Sequence, residues 1–388
     1  MVTSSVVQIT NHRETDLICL MKYLILSLFL FLATMSPVST NGQDLSKWAT
    51  DWNKTAIDLA ELRSGGVGRD GIPSIDNPSF ISIDAARAWL SDGDPIIVVV
   101  LDAIVRFYPL QILTFHEIVN DTFPSTSVSV TFCPLCYSAI VFNRDVEGSI
   151  LDFGVSGLLR NSDLVMYDRQ TESLWQQFTG EAIVGEMVGT TLNWLPSQLL
   201  SFDEAAIRYP DAQILSRETG HRRDYGKNPY VNYDAPSATP WAFDGVADPR
   251  LSPMTKIVGV KLGQNSRAYS YTQSKKDGVI HDVIDEQPVV VFHSDSGARS
   301  ALDKERIADS RDEGTVGVFD PTVQGQIQEF TRIEEGFTDS ATGSVWDVTG
   351  KAISGSRKGM ALKPIIHATY FAFAWFAFRP ESDLYEGI

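Results

Sequence analysis

Apolar residues along this chain come in short runs bounded by Gly, Pro, Asn and Asp, with few stretches at helical spacing. Ile96–Leu101 and Ile104–Tyr108 read as a hairpin, and so do Ile257–Leu262 and Arg267–Tyr271 around the turn sequence GQNS. Val128–Phe132, Ser138–Asn143, Ile150–Phe153 and Leu164–Tyr167 are further β-rich, turn-bounded segments. LQILTFHEIVND has its apolar residues at helical spacing and is predicted as one short helix. SFDEAAIRYPD opens on Ser followed by Asp-Glu and stops at Pro210, which predicts another. Many short strands with a few helices indicate an α+β chain of mainly antiparallel sheets, not a doubly wound fold.

The pattern is used twice. DRQTESLWQQFTGEAI, from Asp168, is answered by DSATGSVWDVTGKAI, from Asp339. Asp168, Thr171, Ser173 and Trp175 match Asp339, Thr342, Ser344 and Trp346 at equal spacing, and TGEAI meets TGKAI after one deletion. Upstream, Arg106 and Tyr108 match Arg267 and Tyr269, and IVND resembles VIHD. VTFCPLCYSA falls opposite VVFHSDSGAR, which sets His293 and Ser296 against Cys133 and Cys136. Matches in one order over such a length predict two tandem copies of one β-rich unit. The expected division is a leader at 1–42, a first unit at 43–225, a linker at 226–252 and a second unit at 253–388. The linker is rich in Pro, Tyr, Asp and Gly, and its aromatic residues predict that it packs down on the surface.

MKYLILSLFLFLATMSPVSTNGQ has a basic residue, Lys22, an apolar run from Tyr23 to Met35, and then small polar residues. That is the layout of a secretory signal peptide, with Met21 as the expected start, and the run is short for a membrane span. The expectation is an exported protein, periplasmic or extracellular, with no stable membrane span once the leader is removed. Cys19 lies before the run, so the mature chain keeps Cys133 and Cys136 alone. Two cysteines cannot staple a chain this long, and stability has to come from a packed core, which 43% hydrophobic residues allow. The formal net charge of -17 argues against a nucleic-acid partner.

Two thiols separated by Pro-Leu, between segments that read as strands, leave three readings open. A Cys-Pro-x-Cys turn points both sulfurs to one side, and thiolates suit copper or zinc. His116, on the helix just before the cysteine strand, is the leading further ligand. Alternatively, the pair is a thiol–disulfide couple in a thiol-based oxidoreductase, with Cys133 the attacking sulfur. YSAIVF after Cys136 reads as a strand, so no helix dipole lowers the thiol pKa in the thioredoxin manner. The remaining reading is a passive pair beside a pocket for a small anionic ligand. Covalent haem is set aside because Tyr137, not His, follows Cys136, and nothing indicates a nucleotide cofactor. The expected partner is a metal ion or small molecule. Because the second unit lacks the thiols, a functional role for them is confined to the first.

Arg160, Asn161, Asp163 and Arg169 form a polar constellation suited to orienting a small anion through Arg–carboxylate contacts. Asp168 and Trp175 recur in the second unit and so fit turn geometry and core packing.

RFYPLQILTFHEIVND, VTFCPLCYSAIVF, FGVSGLLRNSDLVMYDRQTESLWQQFTGEAI and RRDYGKNPY resemble the signature segments of a bacterial and archaeal family, domain of unknown function 3179. The resemblance runs from about Arg69 to the C-terminus. It implies that His116, Cys133, Cys136 and the segment Arg160–Arg169 belong to the family pattern, without assigning them an activity. Tyr137 departs from it, since relatives often carry a small residue there, and that implies narrower access to the sulfurs.

Overall fold

The computed structural model describes residues 39, 40, 43–295 and 297–387. The leader, apart from residues 39 and 40, lies outside the described residues, and so does Ser296.

After short strands at Arg63–Ser64 and Phe80–Ser82 and a helical turn at Ile83–Ala86, the first half runs through β1 (Pro95–Leu101) and β2 (Ile104–Pro109), the expected hairpin, followed by α1 (Leu110–His116). Then come β3 (Ile118–Thr122), β4 (Ser127–Cys133) and β5 (Ser138–Asn143). β6 (Phe153–Arg160) and β7 (Asp163–Asp168) form a hairpin extended by β8 (Leu174–Gln176) and β9 (Glu181–Val184). β10 (Ser197–Ser201) returns to pair with β1 and leads into α2 (Phe202–Arg208), after which β11 (Gln213–Leu215) lies parallel to β2. α2 starts as its sequence demands, because Ser201 and Glu204 form a reciprocal capping box.

The single helix expected over LQILTFHEIVND is corrected: it ends at His116. Glu117 takes φ 58, which stops the helix, and the β-branched Ile118 and Val119 pair with Thr131 and Val130 of β4. The strand expected at 150–153 is likewise displaced, its main part being Phe153–Arg160.

The second half runs through a matching order of elements. β12 (Lys256–Leu262), β13 (Asn265–Ser270), α3 (Tyr271–Asp277), β14 (Val279–Ile284), β15 (Gln287–Ser294) and β16 (Thr315–Asp320) follow the order of β1 to β5. β17 (Phe330–Ile333), β18 (Gly336–Asp339), β19 (Val345–Trp346) and β20 (Ala352–Ser354) make the second four-stranded meander. β21 (His367–Phe371), α4 (Ala372–Phe378) and β22 (Asp383–Tyr385) close it, with β22 parallel to β13.

The shared motifs make the same bonds in each half. Trp175 Nε1 donates to Asp168 Oδ2 at 2.8 Å, and Trp346 Nε1 to Asp339 Oδ2 at 2.8 Å. Thr171 N and Thr342 N donate to the same aspartates at 2.6 and 2.7 Å. Arg106 and Tyr108 hold Asp121 as Arg267 and Tyr269 hold Asp282. These residues fasten turns and core, which is the reading their recurrence supports.

The largest buried cluster joins both halves, placing Phe132, Cys133 and Cys136 with Tyr370, Phe371 and Trp375. Between β11 and β12 the chain has no helix or strand. It nevertheless packs down through Tyr225, Tyr230 and Tyr233.

Asp168 is fully buried and answers three donors, two on Thr171 and one on Trp175. Asp168→Ala should therefore lower unfolding free energy by about 3 kcal/mol, read from urea midpoints, because it strands an indole N–H in the core. Asp339→Ala should cost a similar amount.

Candidate metal centre

The cysteines sit on a tight β-hairpin. Cys133 ends β4 and pairs with Ser138 at the start of β5, so Pro134 to Tyr137 form the loop, with Tyr137 at φ 55. Both thiols are free and buried. Opposite them stands the β6–β7 turn, whose Asn161 and Ser162 take φ 50 and 67, and Asp163 follows it directly. A ligand atom from each of Cys133, Cys136 and Asp163 lies within 4.8 Å of the others. Tetrahedral ligands about 2.3 Å from zinc are spaced by about 3.8 Å, so one ion would need little movement to touch all three.

Asp163 is aimed by its neighbours. Its Oδ2 accepts from Gln176 Nε2 at 2.7 Å and from the Phe178 N–H at 2.9 Å, and its Oδ1 from Ser138 Oγ at 3.3 Å. Gln177 fixes Ser138 in turn, accepting from its hydroxyl at 2.7 Å while donating to Thr131 Oγ1 at 2.8 Å. Outer hydrogen bonds of this kind set a ligand's orientation before any ion arrives.

The centre is a collection of acids. Burial pushes Asp163 up to about 7. Burial, then the nearby Asp163, pushes Glu117 up to about 8. Burial also raises both thiols, Cys136 strongly. No cation figures among the causes acting on these four groups. Glu117 occupies a left-handed position where the corresponding helix end, after α3, has Gly278 at φ 73. A non-glycine residue is held there at a conformational cost.

The second half clamps the hairpin. Phe371 N donates to the Cys136 carbonyl at 2.8 Å, Ala301 N donates to Tyr137 Oη at 3.1 Å, and Lys256 Nζ lies 3.6 Å from the centre of the Tyr137 ring. Tyr137 is thus an anchor between the halves. From the long connection, Tyr233 Oη donates to the Leu135 carbonyl at 3.1 Å.

The other residues singled out from sequence are placed differently. His116 is not brought into the group of three. Its Nδ1 donates to the Pro73 carbonyl at 2.7 Å, leaving Nε2 to accept from Tyr225 Oη at 2.6 Å, and burial lowers its pKa to about 4. Arg160 pairs with Glu61 at 2.7 Å. Arg169, at the far end of β7, bonds Asp70, Ser74 and Tyr167, so it does not converge with Asp163. Asn161 serves the turn. Alternation along β7 holds: Leu164 and Met166 face the cysteine core, Val165 and Tyr167 the opposite cluster.

His293 is also moved by one place. Phe132 N bonds the Glu117 carbonyl, and His293 N bonds the Gly278 carbonyl. His293 therefore matches Phe132, and Ser294 matches Cys133. Gln176 and Gln177, which hold the site, were not anticipated; their replacement by Asp347-Val348 in the second half was the available signal.

A family model, Protein of unknown function (DUF3179), matches residues 69–382. The chain belongs to this family. No curated protein and no solved structure matches it. The family match spans the hairpin, the Asp163 turn and the clamp from the second half. Among the described residues no helix is long and apolar enough to cross a membrane.

The raised carboxyls have a consequence for stability. Glu117 and Asp163 keep protons to about pH 8 and 7 in the folded chain, against ordinary values of 4.5 and 3.8. Folded protein then binds more protons than unfolded protein through neutrality, so stability falls as pH rises. Metal-free wild type should melt at lower temperature at about pH 8.5 than at about pH 6.5, and Glu117→Gln should flatten that fall in a calorimetric series.

Proposed function

We propose that this chain is an exported soft-metal-binding protein whose ion is held by Cys133, Cys136 and Asp163. The observation that carries the reading is the convergence of these three donors, with Asp163 pre-aimed by Gln176, Phe178 and Ser138. A dication supplies the positive charge that four buried acids lack, and its binding converts thiols held protonated by burial into thiolates. A carboxylate oxygen beside two sulfurs suits Zn(II) better than Cu(I), which prefers sulfur alone. Glu117, electrostatically coupled to Asp163, is the next available donor for a fourth position. A thiol-based oxidoreductase is less well supported, since burial and neighbouring acids raise the pKa of both sulfurs and no cation offsets this.

Export follows from the leader pattern, and the matching order of elements supports a duplicated unit in which one copy carries the ion. The second copy then serves as the clamp and keeps the common turns and core without the sulfurs.

Protein purified from its native compartment, or reduced and reloaded with Zn(II), should carry about one equivalent by elemental analysis. Cys133→Ser and Cys136→Ser should carry under about a tenth, and wild type with no retained zinc or copper would sink the proposal. Asp163→Asn should weaken affinity strongly. Gln176→Leu, which only frees the carboxylate to turn, should weaken it by about 10- to 100-fold. Cobalt(II) substitution should give sulfur-to-metal charge-transfer absorption that disappears in the double serine variant.

A further inference from the structure

Where the first half has its buried acids, the second half has an open cleft of about 980 Å³. Its inner wall carries His293, whose side chain is fully buried and whose two ring nitrogens have no hydrogen-bond partner. The nearest acid, Asp295, is 3.8 Å from Nδ1. The matching residue of the first half is Phe132, so an apolar ring has been exchanged for one that needs partners. A buried imidazole left without them is a standing cost unless something entering the cleft supplies one.

Two sequence differences empty this space. In the first half Phe178 stacks on Phe378 of α4, with ring centroids 4.6 Å apart. The second half is one residue shorter between Trp346 and Thr349-Gly350, and no residue stands for Phe178. In α2, Arg208 holds the last-turn place that Phe378 has in α4. What the first half fills with a pair of stacked rings is here a slot over Phe337, Val348 and Ala352.

The charge is also different: where the first half gathers acids, this cleft mixes acids with cations. Gly278 replaces Glu117, and the space a side chain would take there is filled by Arg332. Lys351 replaces Glu181 at the start of the TGKAI segment. The acids of the wall are largely engaged: Glu204 accepts from Ser201 and Thr315, Asp347 from Thr349, and Asp295 pairs with Arg332. Glu334, five residues before Asp339 as Asp163 is before Asp168, and Glu335 also line the cleft, but at its exposed rim on the β17–β18 turn. Lys351 and Lys358 have no carboxylate partner among the described residues. The cleft does not offer a metal site, because among the described residues three ligand atoms converge only at the cysteines.

We propose that this cleft binds a small organic anion with a flat apolar body. The ring lies in the slot that Phe178 and Phe378 fill in the first half, His293 donates a ring N–H to its carboxylate, and Lys351 and Lys358 balance the carboxylate charge. The site is independent of the metal centre.

The test is titration of the full chain, labelled with ¹⁵N-histidine, with benzoate and phenylacetate, using benzyl alcohol and benzylamine as neutral and cationic counterparts. The acids should shift the His293 ring resonances saturably, with Kd on the order of 1 mM. The counterparts should bind at least about tenfold more weakly. Lys351→Met, a surface change, should weaken the acids several-fold, and Cys133→Ser/Cys136→Ser should not. His293→Phe, which installs the first-half residue and is followed by calorimetric titration because it has no His293 resonance, should abolish acid binding and raise the melting temperature of the empty protein. No response to either acid up to about 20 mM overturns the proposal. So does an equal response to benzylamine, or a Lys351→Met variant that binds as wild type does.

Discussion

Asp163 is the constraint around which the first half is organised. A carboxyl with no exposure has to be fully answered or it destabilises the fold. Here Gln176, the Phe178 amide and Ser138 answer it from one side, while the sulfurs take the other. The hairpin that carries the cysteines, the left-handed turn at Asn161-Ser162 and the strained Glu117 all bring acid groups toward this one point. Strained backbone gathered around buried, like-signed groups is an arrangement that packing alone does not favour.

The two halves show what the scaffold requires and what it leaves free. The Asp–Thr–Ser–Trp turn and the Arg–Tyr–Asp network appear in both with nearly the same distances. These elements hold sheets together. The differences that set the two sites apart include the end of β4 against β15, the helix end at Glu117 against Gly278, and Gln176-Gln177-Phe178 against Asp347-Val348. Acid and sulfur gather in one half, and an imidazole with charges of both signs in the other.

Much of this was legible along the chain. Short β-branched runs and their turn residues located the strands, and Ser201 with Glu204 located a helix start. The extent of α1 was not legible, because Ile118 and Val119 continue its apolar spacing and only their pairing with β4 makes them a strand. Cys133 and Cys136 stood out by their rarity. Asp163 stood out only as part of a charged segment, because its role depends on a hairpin turn that folds it back over residues some thirty positions earlier. His116 is near the sulfurs in sequence, yet its ring is taken by Pro73 and Tyr225. Register in the second half was off by one at His293, because identity of letters outweighed the hydrogen-bond ladder.

The bond from Phe371 N to the Cys136 carbonyl, with Lys256 over Tyr137, has an evolutionary implication. Each half supplies a wall for the other: the end of β21 lies against the thiol hairpin, and α2 borders the opposite cleft. Neither could be spliced out as a portable cassette, since excision would leave a raw flank and a loose loop. Under the proposed duplication, an ancestor with one copy per chain would have needed a companion chain to shelter it, and fusion would have made that companionship permanent. Each flank would then have been free to specialise without losing its cover.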